Sequence, residues 1–209
     1  MDTSPVIHVV EDDVSLRDAL ESLFHSVDLR TRAYGSVTEF IQDHDALRPG
    51  CLVLDVRLPG TGGLEFQDQM EAQGIRLPVV LMTGHGDIPM SVRGMKAGAI
   101  DFLAKPFRDQ DMLDAVAAAI QKDAERRLAD SDSAQLAERY AMLSPRERQV
   151  MLLVTTGKMN KQVAGDLAIS EVTVKIHRGA AMRKMGARTL PDLVRMVESL
   201  RLSTSNTTV

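Results

Sequence analysis

Little in this chain could staple it, anchor it or build a core from large rings. A single cysteine, Cys51, stands among 209 residues, so no intrachain disulfide is available and a reducing compartment, the cytoplasm, is expected. Tryptophan is absent and the other aromatics are five Phe and two Tyr, which leaves core building to aliphatic side chains and twelve Met. No apolar run approaches the roughly 20 residues that span a bilayer, so no membrane partner is expected. The acidic start, Met1-Asp2-Thr3-Ser4-Pro5, runs directly into a strand-like segment and does not read as a signal peptide. There is no internal repeat, and no biased tract beyond a Ser/Thr-rich tail over 203–209 that is expected to fray.

What is present is divided by charge. Residues 1–120 carry 10 Lys/Arg against 19 Asp/Glu, a net of −9; residues 121–143 carry 4 against 5; residues 144–209 carry 11 against 5, a net of +6. The overall net of −4 therefore conceals an acidic part and a basic part, as expected of two domains with different partners. Nucleic acid is the natural partner of the basic part.

Through the first 120 residues, apolar runs alternate with amphipathic stretches. Strands are expected at Val6–Val10, Leu29–Tyr34, Leu52–Asp55, Val79–Thr83 and Ile100–Ala104, and helices near Ser15–Ser26, Val37–Asp43, Leu64–Ala72, Ile88–Ala97 and from Arg108 onward. Ser36-Val37-Thr38-Glu39 reads as a capping box. Near-continuous apolar strands joined by helices imply a parallel sheet covered on both faces. In a flavodoxin-like order of 2-1-3-4-5, ligands bind beyond the carboxyl ends of strands 1 and 3, where the strand order reverses.

Acids end those two strands. Val6–Val10 runs into Glu11-Asp12-Asp13, and Leu52-Val53-Leu54 ends in Asp55; a third strand end carries Lys105-Pro106. A carboxylate at the mouth of a buried strand is costly unless something compensates it. Alone, such an acid is more often a solvated helix cap, the role expected for Asp13. Three acids and a lysine at one sheet edge instead have the donor set of a metal and phosphoryl site, with Asp55 as the phosphoryl position. Cys51 and His8 lie within strands and read as packed residues, and His85 as a loop residue.

Beyond residue 120 the fifth helix continues into charged residues until Asp130-Ser131-Asp132-Ser133, which prefer caps and turns, so 122–140 reads as a partly helical linker. Ser144-Pro145-Arg146-Glu147 is a strong helix start. Asn160 reads as the cap of a helix over Lys161–Leu167, Ile169-Ser170 as a turn, Val172–Met185 as a third helix and Leu190–Leu200 as a last one. Two short helices about a tight turn, the second rich in cations, read as helix-turn-helix.

Taken together, Val-Val-Glu-Asp-Asp at 9–13, Leu-Asp-Val-Arg-Leu-Pro-Gly at 54–60, Thr-Gly-His-Gly-Asp at 83–87 and Lys-Pro-Phe at 105–107 resemble two-component receiver domains. Leu-Ser-Pro-Arg-Glu-Arg-Gln-Val at 143–150, Asn-Lys-Gln-Val-Ala at 160–164 and Thr-Val-Lys-Ile-His at 173–177 resemble the LuxR-type helix-turn-helix. In this order and spacing they resemble a response regulator of the NarL/FixJ class over nearly the whole chain. The resemblance implies a receiver at 1–121, a linker at 122–140 and an all-α DNA-binding domain at 141–209.

The resemblance also implies roles. Asp55 is the phosphoacceptor for a sensor histidine kinase. Glu11, Asp12, Asp55 and the carbonyl of Arg57 hold Mg²⁺ or Mn²⁺, and Thr83, Phe102 and Lys105 respond to the phosphoryl group, across a Lys105–Pro106 bond that the family usually has as cis. Lys161, Thr173, Lys175, Arg178 and Lys184 contact double-stranded DNA. Homodimerisation follows phosphorylation or DNA binding, RNA polymerase is a further partner, and no enzymatic turnover is expected beyond self-phosphorylation and dephosphorylation. Glu11 stands where the family more often has Asp, and Phe102 where it has Tyr, which removes a hydroxyl from the switch. Two other classes compete. A haloacid-dehalogenase-like phosphatase needs an acid two residues past its nucleophile, where this chain has Arg57. A small-molecule-sensing regulator would share the second domain but does not need the acids and lysine.

Overall fold

The computed structural model describes residues 4–43, 45, 48–84 and 88–205, with side chains described as far as residue 200. The first half alternates β1 (Val6–Val10), α1 (Val14–Ser26), β2 (Arg30–Tyr34), α2 (Val37–Asp43), β3 (Gly50–Asp55), α3 (Gly63–Met70), β4 (Val79–Thr83), α4 (Ile88–Lys96) and β5 (Asp101–Ala104). The five strands are parallel, in the order β2-β1-β3-β4-β5, which is the flavodoxin-like arrangement expected.

Why the central strands are apolar throughout is visible in their packing. Successive side chains of a strand point to opposite faces, and here each face has its own core. Leu52 and Leu54 of β3 and Leu81 of β4 join Phe40, Leu64, Phe66 and Met70 beneath α2 and α3. Cys51 and Val53, with Ile7, Val9, Val80 and Met82, join Leu20 and Phe24 of α1 and Met112, Ala115, Val116 and Ala119 on the other face. Each fully buried Leu, Phe or Met contributes about 1.5–3 kcal/mol. Cys51 is wholly buried, which pushes its thiol up to about 12 and leaves it a small core residue. His8 is also packed, with Nδ1 3.1 Å from the Tyr34 hydroxyl, which donates in turn to Asp43 at 2.8 Å.

The last receiver helix, α5 (Asp109–Ala141), departs from the sequence reading. It runs without interruption through Asp130–Ser133, where a break was expected. Asp and Ser only favour caps; they do not force one. Each costs a few tenths of a kcal/mol in a helix interior, and the surrounding Ala, Arg, Leu, Gln and Glu are strong helix formers. Gln135 also donates back to the Ser131 hydroxyl at 3.4 Å, one turn away.

Packing divides the chain after Arg126. The second unit holds α6 (Pro145–Thr155), α7 (Asn160–Leu167), α8 (Glu171–Met185) and α9 (Leu190–Ser205). Its core is Leu143, Val150, Met151, Val154, Val163, Val174, Ala181, Met185, Leu193 and Val197. Ser144 caps α6 as expected: its hydroxyl accepts the Glu147 N–H at 3.3 Å, and Glu147 accepts the Ser144 N–H at 2.7 Å. Asn160 does not cap α7 but is its first residue; the Met159 N–H at the cap is satisfied by Gln162 at 2.8 Å. The α7–α8 turn is made by Ala168, left-handed at φ 52. Ile169 N–H donates to the Ala164 carbonyl at 3.1 Å and Ala168 N–H to that of Gly165 at 3.3 Å, the paired bonds of a Schellman end.

Candidate functional site

Register brings the strand ends together. Val10 pairs with Leu54, Asp55 with Met82 and Thr83 with Ala104, so Glu11, Asp55, Thr83 and Lys105 leave the sheet at one edge. Glu11 is 1% exposed and Asp55 5%, whereas Asp12 faces solvent. A carboxylate oxygen from each of these three acids lies within 4.8 Å of the other two. The Lys105 ammonium bridges the two buried acids, donating to Glu11 Oε2 at 2.6 Å and to Asp55 Oδ2 at 2.8 Å.

Burial lifts the Glu11 carboxyl above its ordinary value, and the nearby Asp55 charge adds to this against the opposing pull of Lys105. Burial also works against the Lys105 ammonium, but its hydrogen bonds to Asp55 and Glu11 outweigh that and hold its pKa above the ordinary lysine value. The Lys105–Pro106 peptide is cis, and Lys105 N–H donates to the Thr83 carbonyl at 2.7 Å.

The remaining residues fall into place around this cluster. Asp13 caps α1, accepting from Ser15 N–H at 2.8 Å and Leu16 N–H at 3.2 Å, and so serves the helix. Arg57 is exposed and its N–H donates to Asp55 Oδ1 at 3.1 Å. Thr83 is fully buried. Phe102 is half-buried against the core beneath α3. His85 lies outside the described residues.

Two contributors carried no sequence signal. Arg17, on the second turn of α1, donates to the Glu11 carbonyl at 2.7 Å and so fixes the backbone that presents the acid. A Cβ on Gly63 would lie 2.1 Å from the Asp55 carbonyl oxygen, so only glycine lets α3 begin this close to β3.

In the second unit, α8 presents its N-terminal half outward. Lys175 is exposed, as is Lys161 on α7. The Thr173 hydroxyl pairs with that of Ser170 at 2.8 Å. Arg178 reaches back to Asn160 Oδ1 at 3.4 Å, and Lys184 to Glu147 at 2.7 Å. Lys184 and the Ser144 N–H hold the Glu147 carboxyl below the ordinary value.

Two family models match the chain: the response regulator receiver domain over residues 7–117, and bacterial regulatory proteins of the luxR family over 141–197. Nodulation protein W of Bradyrhizobium diazoefficiens is 53% identical over 205 residues, covering 98% of this chain and 90% of that protein. The transcriptional regulatory protein FixJ of Azorhizobium caulinodans is 42% identical, covering 94% of this chain and 93% of that one. Among solved structures, the response regulator StyR superposes with a TM-score of 0.82 at 46% identity, covering 93% of this chain and 98% of that one. The chain belongs to the NarL/FixJ class of response regulators.

As a two-component transcriptional response regulator it pairs a receiver, which implies a histidine kinase partner, with a luxR-type domain, which implies DNA. The acid cluster is compatible with a divalent cation, and no described helix is long and apolar enough to cross a membrane.

Proposed function

We propose that Asp55 is the phosphoacceptor through which a sensor histidine kinase controls DNA binding. The observation that carries this reading is the Lys105 ammonium bridging two buried carboxylates, with a third acid on the same edge. An Asp55 carboxylate oxygen attacks the phosphorus of the phosphodonor and forms an acyl phosphate. The donor's P–N or P–O bond breaks, and its electron pair leaves with the departing group. Lys105 transfers its hydrogen bond from Asp55 to the phosphoryl oxygens, and the Thr83 hydroxyl supplies a second donor. Phe102 packs inward behind Thr83. Glu11, Asp12, Asp55 and the Arg57 carbonyl offer an all-oxygen set suited to Mg²⁺ or Mn²⁺, which when bound offsets the phosphoryl charge.

Residues 1–121 act as the receiver, 122–140 connect, and 141–209 bind DNA, in the cytoplasm. Lys175 and Arg178 contact base edges or nearby phosphates, and Lys161, Thr173 and Lys184 contact phosphates. The phosphorylated chain dimerises, on its own or on DNA, and engages RNA polymerase at promoters. Incubation with acetyl phosphate and Mg²⁺ tests the input: intact mass rises by one phosphoryl group on the wild type and not on Asp55→Asn. An unmodified wild type refutes the assignment. For the output, Lys175→Ala weakens site-specific binding in gel shifts while phosphorylation is unchanged.

A further inference from the structure

The outward face of α8 carries two large apolar side chains where a DNA-reading helix is expected to be polar. Val172 is 66% exposed and Ile176 63%, one turn apart. At 3.6 residues per turn, positions 172, 176, 179 and 183 fall within about 60° of arc. Val174, Ala181 and Met185 are fully buried on the opposite side. This places Val172 and Ile176 at the centre of the outward stripe, and no packing within the domain accounts for them.

Several hydrogen-bonding side chains near this stripe have partners within the domain, whereas Lys175 and Arg183 are exposed. Thr173 pairs with Ser170, Arg178 with Asn160 and Lys184 with Glu147. Gly179 continues the stripe. A Cβ there would meet only Arg183 Nη1, at an ordinary 3.5 Å, so packing does not require glycine, although alanine favours a helix interior far more. A missing side chain at the edge of an exposed helical stripe lets the backbone approach a partner closely.

We propose that Val172 and Ile176 form an apolar clasp for the 5-methyl groups of thymine in the major groove, with Gly179 giving the clearance that seats it. This rests on α8 being the recognition helix. In the major groove the thymine methyl is the base-edge feature that apolar side chains read. The domain's net charge of +6 over 144–209 draws it to the phosphates irrespective of sequence. Lys175, exposed at the edge of the stripe, adds its charge to that attraction beside its own contact with the bases or nearby phosphates. The position of thymines therefore adds to the sequence preference that Lys175 and Arg178 contribute.

The test uses the full-length chain and the duplex it enriches from a random library. Each thymine of that duplex is replaced in turn by deoxyuridine, which removes the methyl and leaves the hydrogen-bonding edge intact. Wild type is expected to lose about fourfold in affinity at one or two thymines per half-site, the equivalent of about 0.8 kcal/mol for each methyl-sized group. The double variant Val172→Ala, Ile176→Ala binds more weakly and is indifferent to the same replacements. Gly179→Leu loses site-specific binding but keeps salt-sensitive binding to random DNA. Val172 and Ile176 are exposed and Gly179 is half-buried, and unchanged thermal melts confirm that the variants fold. Wild-type affinity unchanged within twofold at every deoxyuridine overturns the clasp, as does a double variant that stays methyl-sensitive. Failure to enrich any sequence, or to bind DNA at all, refutes instead the reading of α8 as the recognition helix.

Discussion

Replacing Lys105 by Met keeps most of the side-chain stem and removes the charge that bridges Glu11 and Asp55. The side chains of those acids are 2% and 7% exposed, and that of Lys105 19%. Removing one partner of a buried ion pair costs about 3–5 kcal/mol, because the other charge is left uncompensated. Lys105 keeps some contact with water, so the lower value, about 3 kcal/mol at neutral pH, is expected. Amide exchange of β1 and β3 in metal-free buffer reads the opening of the receiver alone. It should accelerate by roughly two decades, at about 1.4 kcal/mol per tenfold.

The pH dependence separates charge loss from packing loss. Glu11 has its folded pKa raised, first by burial, so its contribution to stability is full below the ordinary carboxyl value and is lost as pH rises through the folded value. Lys105 opposes that rise, so Lys105→Met pushes the folded value further up and deepens the loss at neutral pH. The deficit should be largest near pH 7 and shrink towards pH 4, as Glu11 becomes protonated in both states. A deficit of equal size at both pH values would mean that only stem packing was lost. No deficit at all would show that the bridge does not compensate the buried acids.

Other substitutions test the backbone that frames the two domains. Gly63→Ala puts a methyl 2.1 Å from the Asp55 carbonyl oxygen. Backbone yields less readily than a side chain, so a destabilisation of about 3 kcal/mol, with slower phosphorylation from acetyl phosphate, is expected in exchange and mass measurements. Ala168→Gly relieves a left-handed alanine at φ 52. That relief is worth about 1–2 kcal/mol, less about 0.4–1 kcal/mol for the freer unfolded chain. A net gain of about 0.5–1 kcal/mol in urea unfolding of the second unit is the expected result.

Much of this architecture was legible because each element carried a local signal that agreed with the global fold. Strands such as Val79–Thr83 are apolar because both faces are covered, and acids at their ends stand out against that background. Ser144-Pro145-Arg146-Glu147 marked α6 because its capping groups bond one another. The failures have the opposite origin. Asp130–Ser133 resembles a break, but intrinsic preferences of a few tenths of a kcal/mol do not stop a helix already propagating. Ala168 has no residue-type signature for a left-handed turn; the two Schellman hydrogen bonds and the packing of Ile169 impose it. Arg17 and Gly63 act through the Glu11 and Asp55 carbonyls, which any residue type offers, so no spacing rule marks them.

The receiver cluster sets three carboxylates against one ammonium, and this imbalance gives a further test. A cation that binds the folded state and not the unfolded one stabilises it by RT ln(1 + [L]/Kd), about 1.4 kcal/mol at ten times Kd. Mg²⁺ should therefore slow exchange of β1 and β3 saturably, beyond what Na⁺ does at matched ionic strength. Asp12 is the exposed member of the cluster, so Asp12→Ala removes a ligand with little direct cost to the fold and should abolish most of the gain. Lys105→Met removes the competing cation from Glu11 Oε2 and Asp55 Oδ2, so the gain should reach half-maximum at a lower Mg²⁺ concentration. The two variants thus move the Mg²⁺ response in opposite directions from one shared geometry. An equal response in wild type and both variants would mean that the cation acts by general screening, with the cluster playing no part as a site.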